Sequence, residues 1–370
     1  MKKTDVFVIG GGPAGIAAAI AARQKGFDVT VADGAAPPID KPCGEGLLPD
    51  AVAALRELGI ELSPAEGQGL RGIRFCDSES GVEASFPLAC GIGIRRTILH
   101  AKMIERAEKA GVRLLWRTPV TGMMSDGVLF GAKKLAARWI VGADGIHSRV
   151  RGWIGLAARR DRRERNSRFA FRRHYHVKPW SDCAEVHWGR SGQVYVTPVA
   201  EDEICVVIVS RRRDLRLGFL HEEFPRLAAR LAMGSAINSE RGAITLEHHL
   251  GRVSRNNIAL LGDASGSVDA ITGEGLCLAF RQALALADAL SSGDLRQYER
   301  AHRRIGRRPL VMSKLLMVLD KAPVLRQRLL RSLAAHPELF ERLLAVHLGA
   351  SSPRHFASTS ALLAWRLVTA

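Results

Sequence analysis

At 370 residues and 47% hydrophobic content, the chain can bury a large core, and its length suits two interleaved lobes better than one small domain. Its 54 basic and 37 acidic residues leave a net charge of +17, a surface that attracts anions, while six scattered cysteines without a C-x-x-C pair argue against a disulfide framework or a zinc site and point to a reducing compartment. No uncharged run reaches the ~18 residues that a spanning helix needs, so an integral membrane protein is not expected.

Residues 5–33 read as strand, glycine turn, helix and second strand. The apolar run Val6, Phe7, Val8, Ile9 suits a parallel strand buried on both faces, and Gly10, Gly12 and Gly15 supply G-x-G-x-x-G where it ends. Gly10 permits the tight turn, Gly12 lets a pyrophosphate approach the backbone, and Gly15 lets the helix lie close to the strand. The free N–H groups of that helix start suit phosphate. The second strand, 29–32, ends on Asp33, 18 residues after Gly15, close to where a carboxylate would hold a ribose diol. Lys2 and Lys3 before the uncharged stretch 6–22 imitate a secretory signal, but Asp5 and the central Gly-Gly-Gly-Pro interrupt it, so a cytoplasmic start is expected.

A Pro-rich loop, 34–42, leads to Cys43-Gly44-Glu45-Gly46 and a helix over 50–58. Two glycines flanking an acid suit close approach of a flat ligand or an irregular loop before a helix, and both readings stay open. Segments 71–75 and 82–86 predict a hairpin, and Arg95-Arg96 opens a helix running to residue 110. Cations oppose the dipole at a helix start, so an arginine there is better explained if it meets an anion. A strand over 139–141 ends in Gly142-Ala143-Asp144-Gly145, which places a carboxylate at the carboxyl edge of the sheet or merely makes a turn.

Alternation then changes character, predicting an antiparallel meander over 168–177, 184–188, 193–199 and 204–210. Arg172, His174 and His176 share one strand face and Phe171, Arg173 and Tyr175 the other. His-x-His can bind a metal, but without a nearby third ligand a polar sheet face is the preferred reading, and no metal is expected. Gln193, Tyr195 and Thr197 share another face, lining a pocket or facing water. A third buried strand from Ile258 ends in Gly262-Asp263, and Gly273-Glu274-Gly275 opens a helix over 276–290, repeating the pairing of a hydroxyl acceptor with backbone donors. Beyond residue 295 the chain is helical and basic, with apolar stripes over 310–319 and 324–348 on which Arg326, Arg328 and Arg331 would suit an interfacial helix. The arginine-rich runs 159–168, 211–216 and 303–308 fit a solvated face or an anionic membrane surface; no nucleic-acid module is visible.

Taken together, Gly10–Gly15, Asp144-Gly145-x-His147-Ser148-x-Val150-Arg151 and Gly262-Asp263, in that order and spacing, resemble the FAD-dependent oxidoreductases of the para-hydroxybenzoate hydroxylase and geranylgeranyl reductase superfamily. The resemblance implies an α/β fold, a Rossmann-like FAD-binding domain from 1–70, 94–160 and 250–320. An antiparallel β-sheet substrate domain is inserted from 71–93 and 161–249, and a helical C-terminal segment covers 321–370. It implies that Gly10, Gly12, Gly15 and Asp33 hold the ADP half and that Cys43, Gly44 and Arg96 lie near the FAD. It further sets Asp144 and Gly145 near the pyrophosphate, Gly262 and Asp263 at the ribityl chain, and Gly273 and Gly275 against the cofactor. Ser265-Gly266 and Ala270 depart from the aromatic hydroxylases and Cys43–Gly46 resembles the geranylgeranyl reductase branch, yet that branch's aromatic-Trp-x-Phe-Pro signature is replaced by Val194-Tyr195-Val196-Thr197-Pro198. A Trp-x-Trp-x-Ile-Pro halogenase signature is also missing.

Without a second G-x-G-x-x-G, NAD(P)H is expected as a transient reductant. The favoured expectation is an NAD(P)H-dependent flavin monooxygenase hydroxylating an apolar or phenolic lipid-like substrate, with His174, His187 or Tyr195 orienting a phenol. The alternative is reduction of C=C bonds in a prenyl substrate, with Cys43 beside the flavin. A third reading, from another class, is a basic flavin-binding peripheral protein with incidental turnover. The expected location is cytoplasmic, with an anionic membrane's inner face as the surface a greasy substrate would require.

Overall fold

The computed structural model describes residues 3–77, 81–124, 126–131, 133–157 and 167–350. Its first sheet is built on the strand Lys3–Ile9, flanked in parallel by Val29–Ala32 and Lys133–Gly142, with Val8 opposite both Val31 and Val141. Ile258–Leu260 and Arg113–Leu115 extend the parallel array outward. Val6, Phe7 and Val8 are fully buried, as a strand covered on both faces requires. The strand expected over 139–141 begins at Lys133 because Gly127–Phe130 pairs with its first half antiparallel, a tertiary contact that overrides the weak strand preference of Lys, Ala and Arg there.

The helix Pro13–Gln24 packs on this sheet through small residues. Ala17, Ala18, Ala21 and Ala22 are all buried, which leaves room for the long helix Gly275–Ser292 to lie against it with Phe280, Ala283 and Leu286 in one core. The Tyr298 hydroxyl donates to the Leu260 carbonyl at 2.7 Å and fastens the next helix to the third motif strand.

The second sheet is the expected meander: Ser167–His176, Glu203–Ser210, Gly192–Ala200 and Cys183–Trp188 are neighbours in that order, all antiparallel. The hairpin Gly72–Cys76 with Gly81–Ser85 joins its edge, parallel to Cys183–Trp188, and the tip at 78–80 lies outside the described residues. On Ser167–His176, Arg168, Ala170, Arg172 and His174 point into the protein, whereas Phe171 and Tyr175 pack on the other side with Leu217, Leu220 and Leu227.

Three helices, Leu295–Lys321, Pro323–Ala335 and Pro337–His347, close one end of this sheet. The stripe over 324–348 is broken where Pro337 starts a new helix. Leu330, Leu333, Leu339, Phe340 and Leu344 form a core with Leu70, Val82, Phe86 and Trp188, and the Phe340 and Phe75 rings stack with centroids 5.0 Å apart. Among the described residues no helix is long and apolar enough to cross a membrane. Residues 351–370 and most of the basic run 159–168 lie outside the described residues.

Candidate functional site

A cavity of about 920 Å³ lies between the two sheets and the C-terminal helices. At one end its wall is Gly12, Lys41, Cys43–Gly46, Arg96, Gly145, Asp263 and Gly273–Gly275; at the other it is Leu48, Leu70, Phe75, Trp188, Leu316, Leu330 and Phe340. One end can therefore hold a phosphate-rich, polar group and the other an apolar chain.

The glycine cradle has the form a dinucleotide needs. A Cβ on Gly15 would stand 1.8 Å from the Gly10 carbonyl oxygen, and one on Gly10 would stand 2.4 Å from the Ala143 oxygen, so both positions demand glycine for packing. A Cβ on Gly12 would meet nothing within 4 Å, because that position borders the cavity itself. The helix Pro13–Gln24 has no side-chain cap and no acid in its first turn, so its leading N–H groups remain available to an anion. Gly273, in the left-handed region at φ +67, and Gly275 likewise border open space at the start of Gly275–Ser292. These open glycines and uncapped helix starts fit a dinucleotide cofactor such as FAD.

The two arginines at the helix Arg96–Lys109 have different duties. Arg95 pairs with Glu203, whereas Arg96 lines the cavity and its buried Nε has no hydrogen-bond partner. Asp263 also lines the cavity and is exposed to that space; the protein walls around it push its carboxyl up, and Arg96, Lys41 and Arg151 oppose that rise. Arg151 is 1% exposed and donates to the Ala264 carbonyl at 3.2 Å and the Ile146 carbonyl at 2.6 Å, tying the second motif to the third.

Two acids singled out in the sequence bond to neighbouring backbone. The Asp144 Oδ2 accepts the Arg149 and Val150 N–H groups at 2.7 and 3.1 Å at the start of the short helix Arg149–Trp153, its buried Oδ1 has no hydrogen-bond partner, and the cavity edge here is Ala143, Gly145 and Ile146. Asp33 accepts N–H groups from Gly11 at 2.7 Å and Ala35 at 2.7 Å and does not line the cavity; it braces the cradle's own loop. His100, which the sequence did not single out, does the same from below. Its Nδ1 accepts from the Ile39 N–H at 3.3 Å, so Nε2 donates to the Gly11 carbonyl at 2.7 Å, and burial holds its pKa below the ordinary value.

Beneath Cys43–Gly46 lies a buried polar network. Glu45, 2% exposed and in the left-handed region at φ +59, accepts from the Arg96 N–H at 3.0 Å, Arg172 Nη1 at 3.0 Å and His174 Nε2 at 2.6 Å. Arg172 also grips Asp40 with both terminal nitrogens at 2.8 Å, and Arg241 reaches Asp40 at 3.0 Å. Burial works against the Asp40 and Arg172 charges, but their pairing outweighs it, holding Asp40 low and Arg172 high. Asn238 accepts the His174 N–H at 3.2 Å and donates to Nδ1 at 2.8 Å, which leaves the ring proton on Nε2. His174 is therefore a brace for Glu45 and does not line the cavity. Glu45, His174 and Cys205 offer ligand atoms within 4.8 Å of one another, but the Arg172 guanidinium already occupies Glu45 and burial pushes the Cys205 thiol well up, an arrangement of hydrogen bonds rather than of cation ligands.

Of the other candidates, Cys43 and Tyr195 line the cavity and His187 does not. His187 pairs with Glu185 at 2.9 Å and meets the Phe224 ring edge-on. The Tyr195 hydroxyl donates to Gln193 Oε1 at 2.9 Å, and burial raises its pKa. Gln193 takes Arg168 at 3.1 Å and donates to Asp320 at 2.7 Å, while Arg168 pairs with Asp269 at 2.7 Å; these bonds clamp the helix Leu295–Lys321 to the sheet. Glu274, on the cavity wall, is pushed up to about 8 by burial and by Asp50, and His347 beside it at 3.8 Å is pushed down to about 4 by burial. Arg326, expected at an interface, is 6% exposed and lies 5.7 Å over the Trp188 ring.

Comparison with known proteins agrees with the cradle. Residues 3–293 match the family described as FAD binding domain. The chain is 30% identical over 324 residues to a menaquinone reductase of Mycobacterium tuberculosis, covering 79% of this chain and 77% of that protein. It is 28% identical over 342 residues to digeranylgeranylglycerophospholipid reductase 1 of Methanothermobacter thermautotrophicus, covering 81% and 82%. Among solved structures it resembles a probable FAD-dependent monooxygenase of Pseudomonas aeruginosa, with a TM-score of 0.71, 21% identity and coverage of 87% and 95%, a likeness of fold alone.

Proposed function

Because the chain belongs to the FAD binding domain family, within the superfamily of para-hydroxybenzoate hydroxylase and geranylgeranyl reductase folds, it is an FAD-dependent oxidoreductase, and we propose that it reduces carbon–carbon double bonds in the isoprenoid chain of a lipid. The observation that carries this reading is the cavity's continuation from the polar cradle into a pocket walled by Leu48, Leu70, Phe75, Trp188, Leu316, Leu330 and Phe340. Such a space takes a long apolar chain end-on and excludes water from it. The names of the two relatives, reductases of menaquinone and of digeranylgeranylglycerophospholipid, agree with a lipid substrate.

In this reading Gly10, Gly12 and the start of Pro13–Gln24 would hold the FAD pyrophosphate, Arg96 would supply positive charge beside the cofactor, and Asp263 with Gly273 and Gly275 would border its ribityl and ring end. Once reduced by NAD(P)H, the reductant we assign to it, bound FAD would supply hydride to carbon. The chain's own part is to align the apolar substrate, keep the pocket dry and hold a proton for the second carbon. Glu274 is suited to that last task, since its raised pKa keeps the carboxyl protonated at neutral pH on the cavity wall. Glu45, braced by Arg172 and His174, fixes the loop that presents Cys43.

Tyr195 favours a second reading, hydroxylation of an apolar or phenolic lipid with O₂, since its hydroxyl and Gln193 could orient a phenol at the wall. One experiment separates the two. The purified yellow protein, reduced under anaerobic conditions and mixed with an unsaturated isoprenoid lipid, should be reoxidised stoichiometrically with a product two mass units heavier per turnover. Reoxidation that requires O₂ and yields a hydroxylated product would replace the first reading with the second.

A further inference from the structure

The cavity opens onto an unusual surface. Leu315, Val318 and Leu325, which line it, are also 45%, 54% and 36% exposed, and Ile244 across the opening is 41% exposed. Next to them Val311 and Val324, which do not line the cavity, are 45% and 66% exposed. Positions 307, 311, 314, 315 and 318 recur at i, i+4, i+7, i+8 and i+11, so they share one face of Leu295–Lys321. On that face the exposed Arg307 and Lys314 stand beside the valines and leucine, and the exposed Lys321 and Arg328 continue the charge past the turn into Pro323–Ala335. Between residues 303 and 331 there are nine basic residues and a single acid, Asp320, which already accepts from Gln193. Exposed apolar residues flanked by exposed cations at the mouth of an apolar cavity, with Glu247 the acid whose carboxyl His249, and with it Lys314, holds down, combine the two attractions that hold a helix at an anionic bilayer.

The geometry points to this face as the surface by which the protein docks on an anionic lipid bilayer, with Val311, Leu315, Val318, Val324 and Leu325 entering the headgroup region and Arg307, Lys314, Lys321 and Arg328 meeting lipid phosphates. It rests on the lipid substrate proposed above and adds the route of entry: a lipid tail passes from the bilayer into the cavity between Ile244 and Leu315 without crossing water. The basic run 303–308 supplies longer-range attraction along the same helix.

The full FAD-loaded protein should be sedimented with vesicles of phosphatidylglycerol and phosphatidylcholine, and with phosphatidylcholine alone. We expect binding to the anionic vesicles that weakens with salt, and at least about tenfold weaker binding for Val311→Asp with Val324→Asp, which removes two apolar anchors outside the cavity. Lys314→Gln, Lys321→Gln and Arg328→Gln together should also lose about tenfold or more on anionic vesicles and little on neutral ones. Both variants should keep the flavin spectrum and wild-type reduction of a detergent-dispersed substrate. Equal binding to both vesicle types, unchanged binding by the valine variant, or a stable dimer in solution that the valine variant dissociates would overturn the proposal. Vesicle docking without any double-bond reduction would instead remove the proposed function and leave the docking face standing.

Discussion

Glu45→Gln tests the network beneath the loop Cys43–Gly46. The glutamate side chain is 1% exposed and its two oxygens receive three donors: the Arg96 N–H, Arg172 Nη1 and His174 Nε2. Glutamine has one acceptor oxygen and adds two N–H donors, so one of those contacts becomes donor against donor. His174 cannot relieve it by moving its proton to Nδ1, because Asn238 donates there and is itself held by the His174 N–H. The carboxylates of Asp40 and Glu45 also balance the buried Arg172 and the half-exposed Arg241, and the substitution leaves the two guanidiniums to share the single Asp40 charge. An unsatisfied buried polar group and a weakened charge pair together should cost roughly 2–4 kcal/mol, a fall in Tm on the order of 5 °C. Thermal unfolding followed by circular dichroism, with and without added FAD, measures it. A second variant separates carboxylate from backbone: Glu45→Gly adopts φ +59 without strain but removes all three hydrogen bonds. If Glu45→Gly unfolds at the wild-type temperature, or Glu45→Gln shifts Tm by less than about 1 °C, the network is not what holds this loop and the reasoning fails.

Three further outcomes follow from the same geometry. Gly12→Ala should fold normally and bind FAD at least about tenfold more weakly, because its Cβ projects into ligand space, whereas Gly15→Ala, 1.8 Å from the Gly10 oxygen, should yield little folded protein; flavin titration and soluble yield distinguish them. Asp144→Ala should lower stability by about 1 kcal/mol through loss of a helix cap and leave FAD affinity nearly unchanged, and a large affinity loss with unchanged Tm would place the carboxylate on the ligand after all. Glu274 has its folded pKa raised to about 8 from 4.5, so its contribution to stability is present in full below about 4.5 and is lost as pH rises through 8. Glu274→Gln does not titrate, so its Tm relative to wild type should climb between pH 5 and pH 9; a difference constant across that range would show that Glu274 is ionised throughout.

The cradle was legible in the sequence because its parts are neighbours in the chain. Gly10, Gly12, Gly15 and the strand Val29–Ala32 lie within one short unit whose spacing is fixed by the turn and by helix packing. The meander was legible for a similar reason, since alternation along one strand states which side chains share a face, and Arg172 with His174 did turn inward together. What those two residues do was not legible. Their partner Glu45 lies 127 and 129 residues away, and His100 lies 89 residues from the Gly11 carbonyl it holds. A polar residue on a buried face signals that a partner exists, and only the tertiary fold names it. Asp144 shows the limit of a local motif: a Gly-Ala-Asp-Gly at a strand end is equally a ligand site and a capping turn, and here one carboxylate oxygen takes the N–H groups five and six residues on while the other has no hydrogen-bond partner. The apolar half of the cavity was hidden because its walls come from Leu48 and Leu70 near one end of the chain and Leu330 and Phe340 near the other. Stripes on the last helices looked like ordinary core, and most are; the difference lies in Val311, Leu315, Val318 and Val324, apolar residues of the same stripes that remain in water beside the opening. Two of those four, Leu315 and Val318, also line the cavity, so its wall and the exposed apolar stripe meet on one face of Leu295–Lys321, which no single stretch of sequence could state.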